Sequence, residues 1–396
     1  MQRLDTPAGL RTTQLAVAGM FFIMGFQYGS WVSRIPTIKA GLHLGDAQLG
    51  LLLLASGIGS LAALPLVPGL MARFGSKRLT FLTGLVSPLM LILLALAPDF
   101  ASAAAVLAAT GVVMSGLFTG VNTQGAILEA RSGRAIMAKL HATFSLGLFV
   151  GALVASGVGL LTDALLPHFL LAAVVLYVIL LLSRTRLLDG VLEKPERTGD
   201  SKRSLGYIAV FLGLAMAFAS IAEGAMNDWT GLYLRDITHA SEDLVPLGIA
   251  VFSGSMVVAR LFADGWRTRF GDRPIVIGGS TLAGAGLGLA LLVGGTIPAF
   301  IGFACVGVGM SAVVPCIFLA GAQQGPGTLS VISGMGTTGR LAGPPLIGFV
   351  SQFSNLAWGM ALVALAPLVV AVCLTRVQWR PAPARPDDAL ATPDPA

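Results

Sequence analysis

The chain has 396 residues; 55% are hydrophobic, only 11% are charged, and mean hydropathy is +0.84. Soluble domains carry about 25% charged residues, so a water-soluble globular fold is excluded. The net charge of +6 would suit nucleic acid, but the basic residues lie in short gaps between apolar runs, the pattern of membrane topology signals.

Apolar runs of about 20 residues, enough to span a bilayer, recur near 14–34, 48–71, 79–97, 103–128, 140–161, 168–187, 205–234, 246–264, 274–294, 299–321, 329–350 and 356–376. Lipid offers the backbone no hydrogen-bond partners, so each run is expected to be a helix. The fold class is therefore an all-α membrane protein with about twelve transmembrane helices. The 50 glycines suit close helix packing. The first run follows Arg11, but it extends too far for a cleaved leader and lacks a clear small-residue cleavage site. Cys305, Cys316 and Cys373 fall inside predicted spans without metal or disulfide spacing and read as small buried residues.

With both termini on one side, 20 of the 25 Lys and Arg residues fall on that side and only Arg34, Lys39 and Arg235 on the other; Arg260 and Arg340 stay within spans. The positive-inside rule then expects both termini in the cytoplasm of a multi-pass membrane protein.

The chain repeats. Gly69-Leu70-Met71-Ala72-Arg73-Phe74-Gly75 returns 196 residues later as Gly265-Trp266-Arg267-Thr268-Arg269-Phe270-Gly271, and Gly147 pairs with Gly343 at the same offset. Trp31 and Arg34 close the first span much as Trp229 and Arg235 close the seventh. The organisation expected is a six-helix bundle over 1–187, a charged linker over 188–204, a second bundle over 205–379 and a disordered, proline-rich tail over 380–396. A duplicated apolar chain is the usual plan of a secondary transporter, with two bundles around one central site.

These residues resemble the major facilitator superfamily, whose usual motif after the second span is Gly-x-x-x-Asp-Arg-x-Gly-Arg-Arg/Lys. Gly69, Arg73, Gly75, Lys77 and Arg78 fit, with Ala72 in place of the acid; Asp264, Arg269 and Gly271 keep part of it in the second half. A narrower likeness is carried by Gly29-Ser30-Trp31, Arg34-Ile35-Pro36, Glu223-Gly224-Ala225, Asp228-Trp229 and Gly343-Pro344-Pro345. It is to a bacterial branch near the fucose-permease type of sugar/proton symporters. The resemblance covers about Gln14 to Arg376. It implies a fourth helix lining the cavity, and a cytoplasmic gate of Arg73, Arg78, Glu129, Arg131 and Arg134 with Arg260 and Asp264. The last two are spaced i,i+4 on one helix face.

Glu223, inside the seventh span, is the costliest residue: a charge at depth costs about 2.5–3.5 kcal/mol and must face a cavity or a partner. It is expected to couple protons or bind substrate, with a structural hydrogen bond as the plain alternative. Asn227 and Asp228 lie a turn nearer the outer mouth, in a gating or a solvated role. Gln27 and Tyr28 offer groups for a hydroxylated ligand, whereas Trp31 reads as an interfacial anchor. Asn122 and Gln124 are ligand contacts or helix glue. Arg340 needs a counter-charge, which Glu223 or an anionic substrate would supply, unless it snorkels to the cytoplasmic face. His141 is a titrating residue at the boundary or a structural one beside Glu129. Gly343, Pro344 and Pro345 are expected to bend the eleventh span and serve as a hinge.

The function expected is secondary active transport of a small polar, sugar-like solute by alternating access, with protons as coupling ion and symport as the mode. A major-facilitator exporter of drugs or metabolites, and a non-transporting sensor or scaffold, are the alternatives. Scattered histidines and the lack of a catalytic dyad, metal spacing or phosphate loop argue against an enzyme. No cofactor and no nucleic acid is expected; the partners are the solute, protons and the lipid bilayer around a monomer.

Overall fold

A computed structural model of the chain describes residues 7–132, 136–189, 206–324, 326–377 and 379. The expected linker apart from 188 and 189, the expected tail, and Arg134 lie outside the described residues. Fourteen helices follow one another: α1 Pro7–Val32, α2 Ile35–Gly41, α3 Asp46–Ala63, α4 Leu66–Ala95, α5 Phe100–Ser132, α6 Met137–Gly159 and α7 Leu165–Ser183, then α8 Tyr207–Leu232, α9 Leu247–Phe270, α10 Asp272–Val293, α11 Thr296–Met310, α12 Val313–Gln324, α13 Pro326–Phe353 and α14 Leu356–Thr375.

Ten helical segments are long and apolar enough to cross a membrane. Helices α9 and α13 complete twelve crossings, because α3 runs on into the start of α4, and α11 with α12 forms one crossing. The two exceptions are less apolar for a reason seen below: each carries polar residues on a face turned toward the other half.

The halves are built alike. Helix α1 packs on α6 as α8 packs on α13; α4 packs on α5 and α7 as α10 packs on α11 and α14. The repeated motif shows the same equivalence at atomic level. Gly75 and Gly271 have φ of 73° and 83°, with ψ of 164° and 162°, a region almost closed to residues with a Cβ. Arg73 lies over the ring of Phe74 at 5.5 Å, and Arg269 over Phe270 at 5.3 Å. Both copies therefore make the same hairpin at the end of the molecule where α1 begins, called here the terminal side.

Glycine permits the closest packing. A Cβ on Gly25 or Gly147 would strike the backbone of the partner helix in the α1–α6 pair, and one on Gly339 would strike Ala217 between α13 and α8. With no hydrophobic drive between helices in lipid, such backbone approach is what holds each half together.

Gly75→Ala and Gly271→Ala should each destabilise the protein by about 1–3 kcal/mol, lowering its thermal unfolding temperature in detergent. Gly69→Ala and Gly265→Ala, where an added Cβ meets nothing within 4 Å, should leave that temperature unchanged.

Candidate functional site

The two halves meet through α3 against α13, α6 against α9, and α2 against the end of α8. Their polar contacts gather on the side away from the termini. Lys39 is held 2.5 Å from Asp46 and 3.0 Å from Asp236, so one ammonium joins a carboxylate of each half. Arg235 pairs with Asp236 at 2.8 Å and donates to the carbonyl of Pro36. Ser156 donates to the Asp243 carbonyl at 2.6 Å. Gly50 lies against Pro344 and Pro345, and Gly348 against the backbone of Asp46, both without room for a side chain.

The far-side basic residues are all engaged. Arg34, 5% exposed, donates to His168 Nδ1 at 3.3 Å and to the Ala155 carbonyl at 3.4 Å. Burial lowers its proton affinity below the ordinary arginine value, against the opposing pull of Asp163 and Glu242. Nothing in the sequence assigned Lys39, Arg235, Asp46 or Asp236 to a contact between halves. Their one signal was that basic residues there break the charge asymmetry of the chain.

Toward the terminal side the same interface opens. Ser330, Ser333, Thr337 and Arg340 share one face of α13 and are exposed, while the continuation of that face, Pro344, Gly348 and Ser351, is buried. The switch from exposed to buried along a single stripe marks the blind end of an open vestibule between the halves.

Charged groups collect at that end. Glu223 on α8 lies 3.9 Å from Arg260 on α9. Arg260 also donates to Ser145 of α6 at 3.0 Å, across to the other half, and approaches the Ser311 carbonyl at 3.5 Å. His141, on the same helix as Ser145, is within Coulombic reach of Arg260 and sits edge-on to Phe21 at 5.1 Å. Above them Tyr28 of α1 donates to Asp228 of α8 at 3.5 Å, with Asp228 only 8% exposed. Arg340 is within Coulombic reach of both Asp228 and Tyr28. Five helices, with Ser311 between α11 and α12, thus contribute to one polar centre inside the membrane.

Several sequence expectations place differently. The partner of Glu223 is Arg260, not Arg340; the side chain of Asp264 lies outside the described residues. Arg340 is exposed, and the groups within its Coulombic reach are Asp228 and Tyr28. Trp31 is no anchor at the lipid surface: it is 9% exposed and packs edge-on to Tyr28 at 6.3 Å, because the closed far side covers it. Gln27 is 2% exposed and donates to the Ser87 carbonyl of its own half at 2.8 Å. Gln124 is fully buried, donating to Ser76 Oγ at 2.8 Å and to the Leu188 carbonyl at 2.7 Å while accepting from Leu188 N at 2.7 Å. It is a clamp between helices. Asn122 and Asn227 each donate to the carbonyl one turn back in their own helix, Phe118 and Glu223.

Glu129 accepts from the backbone of Ile136 and Met137 at 2.8 and 3.0 Å, capping the N-terminus of α6 where an anion is favoured. His141 is not beside it but a turn further in. Arg131 donates to the Asp189 carbonyl at 2.9 Å, and Lys77 pairs with the Asp189 carboxylate at 3.3 Å. Arg73 and Arg78 are exposed on the terminal side. Helix α13 runs unbroken through Pro344 and Pro345, which serve as a packing surface for Gly50 rather than a visible break.

A family model described as Major Facilitator Superfamily matches residues 16–328. An uncharacterized MFS-type transporter of Yersinia pestis is 37% identical, over 90% of this chain and 94% of its own length. Membrane protein MosC of Rhizobium meliloti is 28% identical over 94% of this chain and 91% of its own. Among solved structures, a mutant form of the nucleoside transporter NupG matches with a TM-score of 0.73, covering 92% of this chain and 99% of that one. At 14% identity, that likeness is one of fold alone.

Gln124→Leu removes both halves of the Leu188 clamp and leaves buried backbone groups unsatisfied. It should cost about 2–4 kcal/mol, read as a lower thermal unfolding temperature.

Proposed function

The chain belongs to the Major Facilitator Superfamily and is a transporter of that type, and on that premise we propose that it moves a small polar solute across the bacterial inner membrane by alternating access, coupled to protons at Glu223. The charge asymmetry of the loops supports termini in the cytoplasm. The vestibule then opens inward, and the Lys39–Asp46–Asp236 contact is the closed periplasmic gate. The described contact of Gln124 with Leu188 supports taking residues from 188 as the linker that lets two bundles rock.

The observation that carries the coupling is that Arg260 is shared. Its guanidinium is within 3.9 Å of Glu223 in its own half and hydrogen-bonds Ser145 of the other half. A proton on Glu223 removes the ion pair and changes how firmly Arg260 bridges the bundles. Proton occupancy and bundle position thereby act on one side chain. At 3.9 Å the ion pair is loose, and Glu223 Oε1 has no hydrogen-bond donor within normal reach. The fully bonded Gln124 offers no such unengaged oxygen.

Proteoliposomes challenged with a panel of sugars and organic acids, with and without a pH gradient, test this. Wild type should accumulate a panel member above equilibrium when the gradient is imposed. Glu223→Gln should fall to the equilibrium level while still exchanging labelled for unlabelled solute. Gradient-driven accumulation by Glu223→Gln equal to wild type would show that the coupling lies elsewhere.

A further inference from the structure

We propose that Arg340 is the anion-binding residue of the solute site, and that the solute carries an oxyanion, a carboxylate or a phosphate. The proposal rests on the transport reading above and names the chemistry that reading leaves open.

Depth comes first. Helix α13 runs from Pro326 to Phe353, so Arg340 is at its midpoint, about 20 Å from either end at 1.5 Å per residue. That is further than an arginine side chain can reach to find a headgroup or bulk water. A cation here is costly unless something in the protein or in the vestibule answers it.

Protein does not fully answer it. Glu223 is taken by Arg260 at 3.9 Å, and Asp228 is taken by the Tyr28 hydroxyl at 3.5 Å. Among the described residues Arg340 makes no hydrogen bond and no ion pair; it only feels Asp228 and Tyr28 through space. It is also exposed, as the last residue of the stripe that begins with Ser330, Ser333 and Thr337. The vestibule therefore ends on an unbonded guanidinium.

Geometry gives the ligand class. A guanidinium presents parallel N–H donors that match the two oxygens of a carboxylate or phosphate, and this fork is what distinguishes arginine from lysine. Thr337, one turn nearer the opening, already donates its hydroxyl to the Ser333 carbonyl at 2.9 Å, so the donors to that group are the guanidinium's own. Asp228 and Tyr28, within Coulombic reach beyond, are left for hydroxyl or amine donors elsewhere on the solute. Site and solute are thus complementary: one acid to Arg340, polar donors to Asp228.

The test uses purified full-length protein in lipid nanodiscs and skeleton-matched probes: glucose, glucuronate and glucose 6-phosphate; glycerol, glycerate and glycerol 3-phosphate. Thermal unfolding of wild type should rise with at least one acid at a concentration about tenfold or more below that needed for its neutral parent. Arg340→Gln should lose that preference by about tenfold or more, and Arg340→Lys should retain part of it. The carboxylate and phosphate arms tell which oxyanion is read.

Should Arg340→Gln not fold, phenylglyoxal modification of wild type gives the same answer. The acid should protect the Arg340 peptide and its neutral parent should not. A neutral parent that stabilises as well as its acid, with Arg340→Gln unchanged, overturns the proposal and leaves the transport reading standing. Failure of every acid to stabilise or protect overturns it as well. The transport reading fails separately, if no solute of either kind counterflows in proteoliposomes.

Discussion

Four charged side chains at mid-depth, Glu223, Asp228, Arg260 and Arg340, set the constraint on which the rest of the structure depends. None can face acyl tails without a penalty of several kcal/mol. They lie on α8, α9 and α13, and each turns to the seam between the halves, where Tyr28 and Ser145 of the first half meet them. A single bundle would have to bury this set against itself. Two bundles can share it and still separate, which is the requirement for a passage that opens on alternate sides.

The construction of each bundle supports that division of labour. Within a half, helices approach backbone to backbone at glycines such as Gly25 and Gly147. Those contacts are rigid and leave little to slide. Between the halves on the far side, backbone contacts at Gly50 and Gly348 are joined by ion pairs and single hydrogen bonds, with Lys39 serving Asp46 and Asp236 together. Partly exposed pairs of this type are individually weak, so the seam can part without unfolding either bundle. The repeated glycine hairpins at Gly75 and Gly271 hold the two halves to the same internal plan.

The sequence makes the crossings, the duplication and the family legible, because apolar length and the 196-residue repeat are properties of the chain itself. It also makes legible that Glu223 and Arg340 are out of place in lipid. What it cannot carry is direction. Gln124 and Asn122 are two residues apart, yet Gln124 turns into the bundle to clamp Leu188 while Asn122 satisfies its own helix. Spacing offered Asp264 as a neighbour of Arg260; that Glu223, 37 residues earlier in sequence, also reaches it is set by the fold. The far-side network joins residues nearly 200 positions apart, and only the odd placement of three basic residues pointed toward it.

The account stands on the α13 stripe facing water and not lipid. In a cysteine-free background, single cysteines at Ser333, Thr337, Ala342 and Leu346 can be challenged in proteoliposomes with a water-soluble maleimide added to both sides. Cysteines at 333 and 337 should react readily and those at 342 and 346, on the opposite face, should stay protected by lipid. Reaction at 342 and 346 with protection at 333 and 337 would turn the stripe to the acyl chains and contradict a wet centre between the bundles.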